Sequence, residues 1–326
     1  MNCSSREPPT DIDVSVVIPA DDLSNSELDD CLQSLREQDY DGGYEVIVVE
    51  GGNIAQARNE GLRRAGGRYV AFVDSDCTVP RDWLKKMVTS LRDTGAGGVG
   101  GPGVSPKNSS LFSEAVDLVY QSYIGSLGSP SLYKTEKIVP ARALSTSNSI
   151  YSHEVIRRVG GFDERYILNE DTDLSMRVRS LGYPLYFTPN FVVYHKRDES
   201  YRSFSSKFFS WGRSRMRAML TDLRLIDSKV LLLFLFWLSM LVSTLVTYYY
   251  LTLSLLVYAG LLILHGVVYS TKKRQPAFLL LVPSLYLVQH VSYFFGLLSG
   301  VPVGRYKLAD KPERFTVIQE LRATLH

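Results

Sequence analysis

Two aspartates one residue apart, Asp74 and Asp76, close the segment YVAFVDSDC. The run before them, Tyr69 to Val73, is short, apolar and rich in β-formers, the pattern of a buried strand. Carboxylates crowded at a strand end repel each other unless positive charge lies between them. In an open α/β sheet, ligands bind outside the carboxyl ends of the strands. A hard divalent cation such as Mg2+ or Mn2+, together with a diphosphate, is therefore one chemistry this pair supports. A local Asx turn with solvated acids is the other, and a bare D-x-D does not choose between them.

A second acidic cluster, Glu170, Asp171 and Asp173, lies some 95 residues on, in VGGFDERYILNEDTDLSMRVRSLGYP. Gly160 and Gly161 mark a turn, and Leu174 and Val178 fall on one face of the helix that follows. Acids in a first helical turn ordinarily complement the helix dipole, and that reading stays open here.

The elements that must hold these residues alternate. VSVVIPA (14–20) and YEVIVVE (44–50) are β-branched runs closed by turn-forming or acidic residues. Between them Leu28, Leu32 and Leu35 keep helical spacing, with Ser24 or Ser26 as the expected cap. GGNIAQARNEGLRRAGG (51–67) predicts a helix bracketed by glycines, and the strand at 69–73 comes next. Strand, helix, strand, helix, strand predicts an α/β fold around a mostly parallel sheet.

The charge distribution divides the chain. The 326 residues carry a formal net charge of only +2, but residues 196–229 hold nine Lys/Arg against four acids. Residues 230–270 contain no Asp, Glu, Lys or Arg. A basic collar beside a charge-free block is the pattern of a membrane boundary, and the block is long enough for two helices of about 20 residues. The expected reversal lies between Thr247 and Thr252. A third apolar run, 277–299, is long enough to span but contains Pro283, Gln289 and His290. If it spans, the tail with Arg305, Lys307, Lys311 and Arg314 falls on the side that the positive-inside rule disfavours. Three cysteines without metal-ligand spacing point to a reducing compartment, and the first residues predict no cleaved signal peptide.

These motifs, in order, carry a resemblance: VSVVIPA, ARNEGLRRAGGRYVAFVDSD, GVGGPGVSP, STSNSIYSHEVIRRVGGFDE, NEDTDLSMRVRSLGYP and VVYH…FFSWGRSR. Over roughly residues 12–217 the chain resembles the family 2 glycosyltransferases of GT-A fold, in particular membrane-bound bacterial and archaeal enzymes. The resemblance implies a Rossmann-like catalytic domain over 1–200, a basic interfacial segment over 201–229, an all-α transmembrane region over 230–299 and a tail over 300–326. It implies that Asp74 contacts the ribose or diphosphate side of a nucleotide-sugar and shares the metal with Asp76, the ion being Mn2+ or Mg2+. Arg58 would face the diphosphate, and Glu50 would replace the family's base-recognising Asp. Asp171 would be the catalytic base, with Glu170 beside it.

His195 would be a further metal or diphosphate ligand, unless it is a capped or core histidine. Trp211, Arg213 and Arg215 would lie near acceptor and diphosphate, and also fit an interfacial helix whose long cations reach toward water. The chain departs from the family pattern at Ala20-Asp21-Asp22 and at Glu50-Gly51-Gly52, where the loop is shortened.

The expected reaction is inverting transfer from a nucleotide-sugar to a hydroxyl of a polyprenyl- or dolichyl-linked acceptor or growing glycan. The catalytic domain is expected in the cytoplasm, the bilayer is a partner and nucleic acid is not. A polyprenyl-phosphate glycosyl synthase needs less of a base, because its acceptor is already ionised. An inactive nucleotide-sugar-binding scaffold would not need both acidic clusters.

Overall fold

The computed structural model describes residues 12–126, 136–197, 200–246, 248–302, 304 and 314–322. In chain order the elements are β1 (Ile12–Ala20), α1 (Ser26–Arg36), β2 (Gly43–Glu50), α2 (Ile54–Arg64), β3 (Tyr69–Val73), β4 (Cys77–Thr78), α3 (Trp83–Thr94), β5 (Gly98–Gly100) and β6 (Gly103–Val104). There follow α4 (Leu111–Tyr120), α5 (Tyr123–Ser126), β7 (Val139–Pro140), β8 (Asn148–Ser152), α6 (His153–Val159), α7 (Glu170–Ser180), β9 (Leu185–Phe187) and β10 (Val193–His195). The last are α8 (Tyr201–Thr221), α9 (Ser228–Val246), α10 (Tyr248–Lys273), α11 (Phe278–Gly300) and β11 (Thr316–Arg322). Residues 1–104, 135–195 and 308–326 form one compact unit; residues 105–134 and 196–307 form another.

The first unit is built on a sheet of order β11-β2-β1-β3-β8-β5-β9-β7. β1 lies between β2 and β3 and runs parallel to both. These strands are buried on both faces, which is why they read as unbroken apolar runs. Side chains alternate across the pleat: Val14, Val16 and Ile18 pack with α1 and α3, and Val17 packs with the side of α2, α6 and α7. The sheet as a whole is mixed, because β8, β7 and β11 pair antiparallel with their neighbours. A small second sheet, β4-β10-β6, stands at the carboxyl end of β3.

Local signals explain the helices. Asn25, between the two serines expected to cap α1, accepts the Glu27 amide and is the cap. Asn53 and Gln56 form a reciprocal capping box on α2, directly after the Gly51-Gly52 turn. Thr316 to Arg322, within the stretch read from sequence as a tail, pair with β2 along its length. Arg305, Lys307 and Lys311 lie outside the described residues.

The second unit is helical. α4, α8, α10 and α11 share a core that includes Val116, Val119, Phe204, Phe208, Leu262, Val282 and Leu285. α9 packs Val230 against Met216 and Leu297. Two stretches, Thr252–Lys273 and Phe278–Pro302, are long and apolar enough to cross a membrane, and Ser228–Val242 is a shorter apolar helix. α9 and α10 meet at 247, at the leading edge of the expected reversal; Thr247 is outside the described residues and Thr252 is helical.

Candidate active site

β3 runs out of the sheet at Val73, and Asp74, Ser75 and Asp76 turn away from its end into β4. The Cys77 amide donates to the Asp74 carbonyl, closing that turn. A cleft of about 180 Å3 opens here, between the ends of β1, β2 and β3 and the start of α2. Asp21, Gly51, Gly52, Asp74, Ser75 and Asp76 are among its walls. Gly51 and Gly52 sit at φ 116° and 71°, so the short loop after β2 folds tightly through the left-handed region that glycine tolerates.

The acids at this strand end are each engaged differently. Asp76 Oδ2 lies 3.0 Å from His195 Nε2. The antiparallel register of β10 on β4 sets this distance, since it places His195 opposite Cys77. Burial works to raise the Asp76 pKa, but the bond and charge of His195, with the Cys77 thiol, hold it below its ordinary value. Ligating atoms of Asp76, Cys77 and His195 lie within 4.8 Å of one another. Cys77 is buried beside Asp74 and Asp76, and its thiol pKa is pushed well above the usual value, first by burial and then by those two charges.

Asp74 Oδ1 accepts from Arg58 Nη2 at 2.9 Å, while Arg58 Nη1 donates to Glu170 Oε1 at 2.5 Å. Arg58 is 1% exposed and its guanidinium lies over the Phe162 ring. Arg58, which the resemblance expects to face the diphosphate, is buried beneath the strand end, one cation joining two carboxylates. Glu170 is 5% exposed, and its Oε2 has no hydrogen-bond partner among the described residues. Burial pushes its pKa up to about 7; Arg58 opposes that rise and Asp171 adds to it.

α7 begins at Glu170, after Asn169 in the left-handed conformation. Three acids occupy its first turn; Glu170 pairs with Arg58, and Asp173 with Arg177 at 2.6 Å. Asp171, half-buried, accepts the Thr172 amide through Oδ1. Glu50 Oε1 accepts the Leu23 amide at 3.1 Å and thereby ties β2 to the loop after β1. Asp21 and Ser75 on the cleft wall are not among the candidate site residues of the sequence; Asp21 enters there only as a departure from the family pattern, and the D-x-D spacing left Ser75 in plain view.

Trp211, Arg213 and Arg215 belong to α8 in the helical unit. Trp211 stacks on Tyr120 with ring centroids 6.4 Å apart, Arg215 lies 3.7 Å from Asp227, and Arg213 is exposed.

Residues 15–160 match the family described as Glycosyl transferase family 2. The glycosyltransferase AglE of Haloferax volcanii is 25% identical over 239 residues, 64% of this chain and 75% of that protein. The pre-mycofactocin glycosyltransferase of Mycobacterium tuberculosis is 29% identical over 234 residues, 63% of this chain; the chain spans 47% of that protein's length. Among solved structures, a mannosyltransferase of Pyrobaculum calidifontis, determined with GDP-Man and Mn2+, superposes with a TM-score of 0.53 at 16% identity, over 88% of this chain and 89% of that one. Residues 15–160 are therefore similar to the glycosyl transferase family 2 domain, and the chain has the GT-A fold that its motifs resemble.

Proposed function

We propose that the protein is an inverting glycosyltransferase that moves a sugar from a nucleotide-diphosphate donor to a hydroxyl of a membrane-held acceptor, such as a polyprenyl- or dolichyl-linked glycan. The observation that carries this reading is the pairing of His195 with Asp76, which stands at the end of β3 on the wall of the cleft. Donors of an octahedral ion, at about 2.0–2.1 Å from it, stand about 3 Å apart when adjacent. The 3.0 Å between Asp76 Oδ2 and His195 Nε2 fits that requirement, and the depressed Asp76 pKa keeps the carboxylate ionised. These two residues would hold Mn2+ or Mg2+, which supplies positive charge where the leaving diphosphate becomes negative. The Mn2+ and GDP-Man of the pyrobacular structure belong to that protein and agree with this choice. Asp74, fixed by Arg58, faces the donor.

The rest of the reaction falls to α7. Asp171 removes the proton from the acceptor hydroxyl. The acceptor oxygen bonds to the anomeric carbon from the face opposite the diphosphate, the carbon–oxygen bond to the diphosphate breaks, and the nucleoside diphosphate departs. The anomeric configuration is inverted. The catalytic unit works on the cytoplasmic face, where nucleotide-sugars are made, and the apolar helices hold it at a multi-pass membrane anchor.

The test pairs binding with transfer. Asp171→Asn keeps shape but cannot accept a proton, so transfer falls by about 10²-fold or more while donor affinity, read by calorimetry, stays near wild type. Chelation abolishes transfer and Mn2+ restores it. Near-normal transfer by Asp171→Asn would place the base elsewhere, or point to a phosphate acceptor that needs none.

A further inference from the structure

Two points of the helical unit lie close together, and the chain before and after that unit belongs to one folded unit. The chain enters it at Arg197, two residues after His195, and Arg197 Nε donates to Asp117 on α4 at 2.7 Å. One turn earlier on α4, Glu114 pairs with Lys273 at the end of α10, at 3.0 Å. The turn between α10 and α11 is therefore anchored close to the entry point. At the other end of the excursion, β11 hydrogen-bonds into the same sheet as β1 and β3. The chain thus returns after α11 to the folded unit it left at His195.

α9 and α10 lie against each other at Trp237 and Tyr258, with ring centroids 5.5 Å apart. A continuous helix would separate residues 21 positions apart by about 31 Å, so the chain reverses between them. The two helices have 19 and 26 residues, about 28 and 39 Å, against a hydrocarbon core of about 30 Å. Their outer faces are exposed and apolar: Leu232 is 67% exposed and Leu256 65%.

α11 passes the same test of length and apolarity and packs on α10, where Tyr258 meets His290 and Gly266 lies against Pro283, but it also runs with a helix of another kind. It runs alongside α8 from Ser284 to Gly300. Ser292 and Ser205 hydroxyls are 2.8 Å apart, and Gly212, Gly296 and Gly300 let the two backbones touch. A methyl at Gly212 would lie 2.2 Å from the Tyr293 carbonyl. α8 carries Arg202, Lys207, Arg213, Arg215 and Arg217. If α11 crossed the bilayer, it would draw this cationic helix out of water with it.

We propose that the chain crosses the bilayer twice, as a hairpin of α9 and α10, and that α11 begins and ends on the catalytic side, at the membrane surface with α8. This rests on the membrane-anchored part of the function proposed above and sharpens it. Parity comes from β11, sidedness from Lys273 and Glu114, and the exclusion of α11 from its packing on α8.

The experiment uses the full chain in sealed vesicles of both orientations. In a Cys3→Ser background, single cysteines are placed by Asp41→Cys, Tyr249→Cys, Arg274→Cys, Val301→Cys and Thr316→Cys and probed with a membrane-impermeant maleimide. The buried Cys31 and Cys77 set the background. Positions 41, 274, 301 and 316 should label from one face, and 249 only from the other. Labelling of 301 or 316 from the face of 249 would show that α11 crosses; labelling of 274 from that face would show that α10 does not return. Labelling of 249 with 41, or release of the unaltered protein by alkaline carbonate, would remove the hairpin from the membrane. None of these readings requires sugar transfer, so they stand or fall separately from the proposed reaction.

Discussion

Arg58 divides one positive charge between two acids with different duties. Asp74 faces the cleft, and Glu170 opens the helix that carries the proposed base. Removing such a buried partner leaves an uncompensated carboxylate and costs about 3–5 kcal/mol. Arg58→Met should therefore lower the thermal midpoint sharply, and Arg58→Met with Glu170→Gln should recover part of the loss, as a double-mutant cycle of melting curves would show. Glu170 also makes a pH prediction. Its folded pKa of about 7 lies above the ordinary 4.5, so the folded protein binds the extra proton between those values. The stability this lends is complete below about 4.5 and lost as pH rises through about 7. Relative to Glu170→Gln, the wild-type melting midpoint should fall across that window; parallel profiles would show that the carboxylate stays ionised throughout. The roles of the two partners differed in legibility. Asp74 announces itself by its place after an apolar run, whereas the partners of Arg58 lie 16 and 112 residues away, and no local pattern encodes that clamp.

α2 positions this arginine, and its seat depends on one small residue. A methyl at Gly61 would lie 2.3 Å from Val17 Cγ1, on the face one turn past Arg58. Gly61→Ala should push the helix off β1, cost about 1–3 kcal/mol and reduce transfer along with stability; a fully active variant with an unchanged melting curve would count against this tight seat. Elements like this one were readable. The three central strands are buried on both faces and appear as unbroken β-branched runs, and α2 is framed by its glycines and its cap. What escaped was pairing between distant stretches. TVIQELR alternates weakly and carries a Glu and an Arg, so it passes for tail until β2 accepts it as a strand. The apolar run of α11 reads as long enough to span, as the helix itself is, but composition does not reveal that it packs along the cationic α8. His195 could be noticed in the sequence, but only the register of β10 on β4 puts it beside Asp76.

At the scale of the molecule, the helical unit is inserted into the catalytic unit, and β11 closes the insertion. That strand is tied down by more than its ladder. Arg36 pairs with Glu320 at 2.7 Å, and Gln319 donates to the buried Glu45, which also accepts from Ser15 and Gly66. Just before it, the Phe315 ring packs behind Gly51 and Gly52, the loop that forms one wall of the cleft. Phe315→Ala should therefore weaken nucleotide binding several-fold in calorimetry while leaving the metal requirement of transfer unchanged; unaltered binding would mean that the loop holds its shape alone. The same closure imposes an order of events during synthesis. β2 emerges from the ribosome more than 260 residues before Thr316, a wait of roughly 10–50 s at about 5–20 residues per second. Once β9 has been made, and until β11 follows, one edge of a nearly finished sheet is bare, the kind of edge on which other chains nucleate. The two long apolar helices, α10 and α11, are made during the same interval, so any delay in placing them lengthens the exposure of β2, a strand that has no part in the helical unit.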